Sequence, residues 1–81
     1  MEISKYSQIK ADGMRLVVIY IMLENRQVVN YSKIYQMFEI SYSTFARVIA
    51  QLRLIVRDGI LCPKGVVIFN RRRNSYELIR F

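Results

Sequence analysis

Histidine is missing from this 81-residue chain, and cysteine occurs once, as Cys62. The first absence removes the commonest metal ligand and the commonest general base. The second excludes a disulfide framework and a cysteine zinc cluster, and leaves Cys62 a bystander in a reducing compartment. Carboxylates are scarce as well. The six of them, Glu2, Asp12, Glu24, Glu39, Asp58 and Glu77, include no pair at a spacing suited to acid–base work, and no nucleophile has a base beside it. The chain is therefore not expected to be an enzyme, and no cofactor, metal or small-molecule substrate is indicated. Long apolar runs are lacking too. Leu16 to Leu23 is unbroken, but its eight residues fall far short of the ~20 that span a bilayer. The polar opening around Lys5 and Lys10 does not read as a secretory signal. Without repeats or low-complexity tracts, residues 1–81 are expected to form a single cytoplasmic domain, nucleoid-associated in a bacterial, archaeal or viral setting.

What the chain has is apolar residues and positive charge. Hydrophobic residues make up 53% and charged ones 23%, a globular balance rather than a disordered one. Thirteen Lys and Arg against the six acids leave a net charge of +7, which suits a polyanionic partner. The excess sits in the second half. Residues 41–81 carry Arg47, Arg53, Arg57, Lys64, Arg71, Arg72, Arg73 and Arg80 against only Asp58 and Glu77. All but one of these cations are Arg, whose planar fork matches phosphates and guanine edges.

Periodicity divides the chain. Over about residues 9–24, Leu16, Ile19, Tyr20 and Leu23 recur at helical spacing, and Asn25, Arg26 and Gln27 end the pattern. Val17, Val18 and Ile21 occupy another face of the same helix. Asn30 then reads as an N-cap, with Val29 and Ile34 as the hydrophobic staple across it. Ser41 repeats the device with Ile40 and Phe45. From it runs a helix to about residue 55, its core stripe formed by Phe45, Val48, Ile49 and Leu52. Beyond Asp58 and Gly59 the period changes, and residues 66–69 and 76–81 are β-rich runs around an Arg-rich turn. Gly59 to Gly65, with Pro63 inside, is the connection. The expected fold class is mainly α with a small β-hairpin (α+β), a three-helix winged helix-turn-helix.

That order of elements has a direct use on duplex DNA. The second helix of the pair lies in the major groove, and the hairpin, or wing, reaches to the backbone or the minor groove. Candidate contacts on the helix are Ser41, Tyr42, Ser43, Thr44, Ala46, Arg47 and Arg53. Arg47 can fork onto guanine or phosphate, the hydroxyls can donate to phosphate oxygens, and Ala46 and Ala50 keep the face thin. Arg71, Arg72 and Arg73 are the wing contacts. Ser41, Thr44, Arg47, Ile49 and Leu52 also match the Val-Ser-x-x-Thr-Val-x-Arg-x-Ile-x-x-Leu pattern that ends the helix pair of DeoR-type and WYL-domain bacterial repressors. The run Ile68-Phe69-Asn70-Arg71-Arg72-Arg73-Asn74-Ser75-Tyr76-Glu77-Leu78 is similar to the wing of WYL regulators, where an Arg-rich tip precedes a Gly-Tyr-x-Leu strand. The resemblance covers about residues 14–81 and implies a winged helix-turn-helix transcriptional regulator. The chain departs from it at Tyr35, where the family usually has Ala, and at Glu39, where it often has Gly. The ligand-sensing domain of those repressors has no counterpart in these residues, so the resemblance carries no sensing role.

The six tyrosines, Tyr6, Tyr20, Tyr31, Tyr35, Tyr42 and Tyr76, raise the question of stacking on single-stranded bases. They are spread over several elements, which favours packing roles for all but Tyr42, at the entrance of the reading helix. Two further expectations follow: double-stranded DNA as the partner, and a homodimer joined through the first helix by its spare apolar face. The alternatives to sequence-specific DNA binding are a winged-helix protein-interaction adaptor and a DNA-architectural or recombination accessory factor.

Overall fold

The computed structural model describes residues 5–59 and 64–81. Cys62 and Pro63, with most of the connection expected from Gly59 to Gly65, lie outside the described residues. A 3-10 turn over Lys5–Gln8 precedes helices α1 (Asp12–Glu24), α2 (Tyr31–Phe38) and α3 (Tyr42–Arg57), and strands β1 (Gly65–Asn70) and β2 (Ser75–Arg80) complete the order. The chain is thus a small α+β fold of three helices and one antiparallel hairpin, the class its periodicity indicates. Among the described residues no helix is long and apolar enough to cross a membrane.

Each helix boundary has a local cause. The Asn30 carboxamide accepts from the Lys33 amide at 2.8 Å, and the Ser41 hydroxyl from the Thr44 amide at 3.2 Å; both are the expected N-caps. α1 starts at Asp12, later than its periodicity suggests, because Ala11 is extended and offers no capping side chain. It closes with the Gln27 amide on the Met22 carbonyl and the Arg26 amide on the Leu23 carbonyl, which puts Arg26 at φ 57. Glu39 takes the same left-handed conformation, φ 57 and ψ 41, between α2 and α3. A Glu thus stands in a conformation that favours Gly, and the turn keeps its geometry with a strained residue in it. α3 runs two residues past the expected end and stops where Gly59, at φ 75, turns the chain.

The core gathers Ile19, Met22, Leu23, Val29, Ile34, Phe38, Phe45, Val48, Leu52, Val56 and Val67. Phe45 is its largest fully buried side chain, and a side chain of that size stabilises the fold by about 1.5–3 kcal/mol on burial. On α1 the inward face is Ile19, Met22 and Leu23, with Leu16 and Tyr20 half-buried beside them. Val18 also packs partly against the core, so it does not belong to the spare face the sequence assigns it; that face is Met14, Val17 and Ile21. The 3-10 turn packs on α2, where the Tyr6 and Phe38 rings lie 6.0 Å apart, and leaves the α1 stripe uncovered.

The hairpin is tied to the helices at both of its ends. Its register runs from Gly65 opposite Arg80 to Asn70 opposite Ser75. The Tyr76 amide donates to the Val29 carbonyl at 2.8 Å, and the Val29 amide donates to the Ser75 hydroxyl at 2.8 Å. The Asn30 amide group, besides capping α2, donates to the Asn74 carbonyl at 2.8 Å. Residues 29–30 thus hold the turn of the hairpin beside the start of α2. At the other end, Arg80 pairs with Glu24 and donates to the Tyr20 hydroxyl at 2.7 Å.

Candidate nucleic-acid interface

The first turn of α3 divides its hydroxyls between structure and surface. Ser41 commits its side chain to the cap and to Thr44 Oγ1 at 3.1 Å. Ser43 and Tyr42 face outward, and Tyr42 is 61% exposed. The next turns offer Ala46, Arg47 and Ala50 on the exposed side. A helix N-terminus with unpaired amides favours anions, so this end of α3 combines a partial positive charge with thin, polar side chains.

The Arg residues expected to meet DNA do not form one free set. Arg47 Nε donates to Asp12 at 2.6 Å, across from α3 to the start of α1. Asp12 also accepts from Arg15 at 2.9 Å. The Arg47 hydrogen bond, seconded by Arg15, holds the Asp12 carboxyl below the ordinary range against an opposing desolvation, and Asp12 in turn raises Arg47. With about half its side chain exposed, Arg47 keeps terminal nitrogens for a ligand, but its direction is set by Asp12. Arg53 is engaged differently. It donates to the Val67 carbonyl at 3.3 Å and lies over the Tyr76 ring at 5.6 Å, which ties α3 to the hairpin. Arg73 pairs with Glu77 at 2.9 Å. Arg71 and Arg72 extend from the tip with no side-chain partner among the described residues.

Between the two candidate surfaces lies an open groove of about 430 Å³. Its walls are the start of α2 (Asn30, Ser32), the start of α3 (Tyr42) and the hairpin (Phe69, Asn74), with Tyr31, Phe45 and Tyr76 completing the lining. No charged side chain lines it. The sequence pattern scatters the tyrosines, yet the fold brings three of the six here. Register is the signal that would have found two of the members: pairing Asn70 with Ser75 sets Phe69 opposite Tyr76, on one face of the hairpin.

No family model matches the chain, and no curated protein or solved structure matches it.

Tyr35 stays on the surface at 52% exposure and leans on Tyr31 with ring centroids 6.0 Å apart. Tyr31 itself is fixed by its hydroxyl, which donates to the Ile40 carbonyl at 3.0 Å. The turn between α2 and α3 is therefore braced by an aromatic side chain from the first turn of α2. Sequence reasoning also misses Asp12 as the partner of Arg47; that pair spans 35 positions and has no local signature.

Proposed function

We propose that the protein is a winged helix-turn-helix DNA-binding module of the kind that DeoR-type and WYL-domain regulators carry, acting in the cytoplasm as a small transcriptional regulator. One observation carries this reading: the first turn of α3 and the Arg-bearing hairpin end flank a single groove that no carboxylate lines. A duplex laid along that side meets α3 in its major groove and the wing on the adjacent backbone or minor groove. Tyr42, Ser43, Ala46 and Arg47 are the base-facing positions. Arg71 and Arg72 are phosphate contacts, while Ser41, Thr44, Arg53 and Arg73 serve by positioning. The hydrogen-bonded seam from Val29 and Asn30 to residues 74–76 supports the reading, because it fixes the wing relative to the helix pair. The exposed stripe Met14, Val17 and Ile21 is where a second copy docks, so that two reading helices address a palindrome.

The test is a fluorescence-anisotropy titration of duplex DNA at two salt concentrations, followed by selection of preferred sites. Binding that weakens steeply with salt and discriminates among duplexes is the expected result. Failure to bind any duplex at low salt rejects the reading, and salt-steep binding without discrimination reduces it to an architectural role.

A further inference from the structure

We propose that the groove between α3 and the hairpin is a receptor for one unpaired nucleobase, so that the protein prefers duplex carrying an extruded base over perfect duplex. The inference rests on the DNA-binding reading above and deepens it. Its basis is the aromatic chain that lines the groove. Phe45 and Tyr76 form the floor with centroids 5.9 Å apart, Tyr42 stands 6.3 Å from Phe45 on one side, and Phe69 stands 4.9 Å from Tyr76 on the other.

The two wall rings are the exposed ones. Tyr42 is 61% and Phe69 41% accessible, a poor arrangement for packing alone, since both rings turn apolar faces to water. Tyr42 is held edge-on by Tyr31 at 5.3 Å and Phe69 edge-on by Tyr76, so both rings are positioned yet keep exposed surface on which a flat guest can pack. Polar groups line the groove as well: the Ser32 hydroxyl and the Asn74 side chain can meet a base edge or its sugar, while the Asn30 carboxamide is committed to the α2 cap and the Asn74 carbonyl. The groove also carries no net charge of its own, while Arg71 and Arg72 extend from the adjoining tip. A neutral aromatic slot beside a cationic anchor fits a nucleotide whose phosphates lie outside and whose base lies within. A fully paired duplex cannot fill this slot, because its bases are stacked and its outer surface is the charged backbone.

The experiment uses the full chain and three hairpin DNAs of one stem sequence: perfectly paired, with a single unpaired thymidine, and with an abasic residue in place of that thymidine. The unpaired thymidine should bind about tenfold more tightly than the perfect stem, the scale of one base stacked on an aromatic ring. The abasic bulge should lose that gain. Phe69→Ala, at an exposed ring outside the base-facing positions, should abolish the preference and leave affinity for the perfect stem within about twofold, while Tyr42→Ala should abolish the preference and weaken binding to every stem. Equal affinity for the paired and bulged stems overturns the proposal and leaves duplex binding intact. So does an abasic bulge that binds as tightly as the thymidine bulge, which would mean that the groove reads only bent backbone. A preference that survives in both variants places the base elsewhere and also overturns it. No binding to any of the three DNAs rejects the DNA-binding reading itself, and the groove proposal with it.

Discussion

Glu39 and Asp12 are single residues whose behaviour the fold dictates against or beyond their type. Glu39 occupies φ 57 at the end of α2, where an L side chain meets the following carbonyl and a Gly does not. Glu39→Gly should therefore stabilise the protein by roughly 0.5–1 kcal/mol after the added freedom of the unfolded chain is offset, raising the midpoint of thermal or urea unfolding. A fall in the midpoint would mean that the Glu39 side chain holds the turn by some other means. Asp12 pulls in two directions at once. Its carboxyl pKa is lowered chiefly by the Arg47 hydrogen bond, so the charged form is favoured in the folded state. That stabilisation is complete above the ordinary carboxylate range and is lost as pH falls through the lowered pKa. Wild type and Asp12→Asn should therefore differ in melting temperature at neutral pH and converge in acid. In DNA binding the sign reverses. Removing the acid takes a negative charge from the reading face and frees Arg47, so Asp12→Asn should bind duplex more tightly on every sequence. Weaker binding by that variant would show that Arg47 needs Asp12 to point at its target.

Elements were legible in the sequence wherever their cause is local. The two N-caps with their staples predict α2 and α3 nearly to the residue, because capping is decided within four positions. The hairpin is equally plain from β-rich runs around a polar turn. What local signals cannot resolve is which cation is committed to the fold. Arg47, Arg53 and Arg73 look alike in composition; tertiary contacts turn the first two toward Asp12 and Val67, and the hairpin turn brings Arg73 to Glu77. The tip of the wing shows the same division within three consecutive residues. The Asn70 carboxamide accepts from the Arg72 and Arg73 amides at 3.0 and 3.3 Å and donates to Glu77 at 3.1 Å. Glu77 in turn holds the Arg73 guanidinium, so the turn is stiff and Arg73 is part of its bracing. Arg71 and Arg72 are left as the cations open to a ligand. Replacing both by Ala should lower the slope of log affinity against log salt by about 0.9 for each phosphate no longer neutralised. Arg73→Ala should change that slope less and should loosen the hairpin instead. An unaltered slope in the double variant would remove the wing from the interface.

At the scale of the molecule, one copy is too small to read a long site. It offers a single α3 of 16 residues, about 24 Å long, whereas successive half-sites on one face of DNA lie about 34 Å apart. A second copy would supply a second such helix, and the exposed stripe of α1 is the surface proposed for it. Met14, Val17 and Ile21 are 55%, 47% and 51% exposed and lie on one stripe at helical spacing, left uncovered by the other elements among the described residues. Two such helices packed antiparallel about Val17 bring each stripe against its copy, as a two-fold interface requires. Val18 is the wrong place to probe this interface, because it is partly in the core and a charge there would disturb folding as well as association. Val17→Glu with Ile21→Glu adds four like charges to the dimer and touches no buried residue. Light scattering after size-exclusion chromatography should find a dimer for the wild type at tens of micromolar (~20–50 µM) and a monomer for the double variant, with unchanged circular dichroism. Anisotropy should then find the variant's affinity for a single half-site preserved and its cooperativity on a palindrome gone. A wild type that stays monomeric both in solution and on palindromic DNA would sink the dimer. The apolar stripe would then need a different partner.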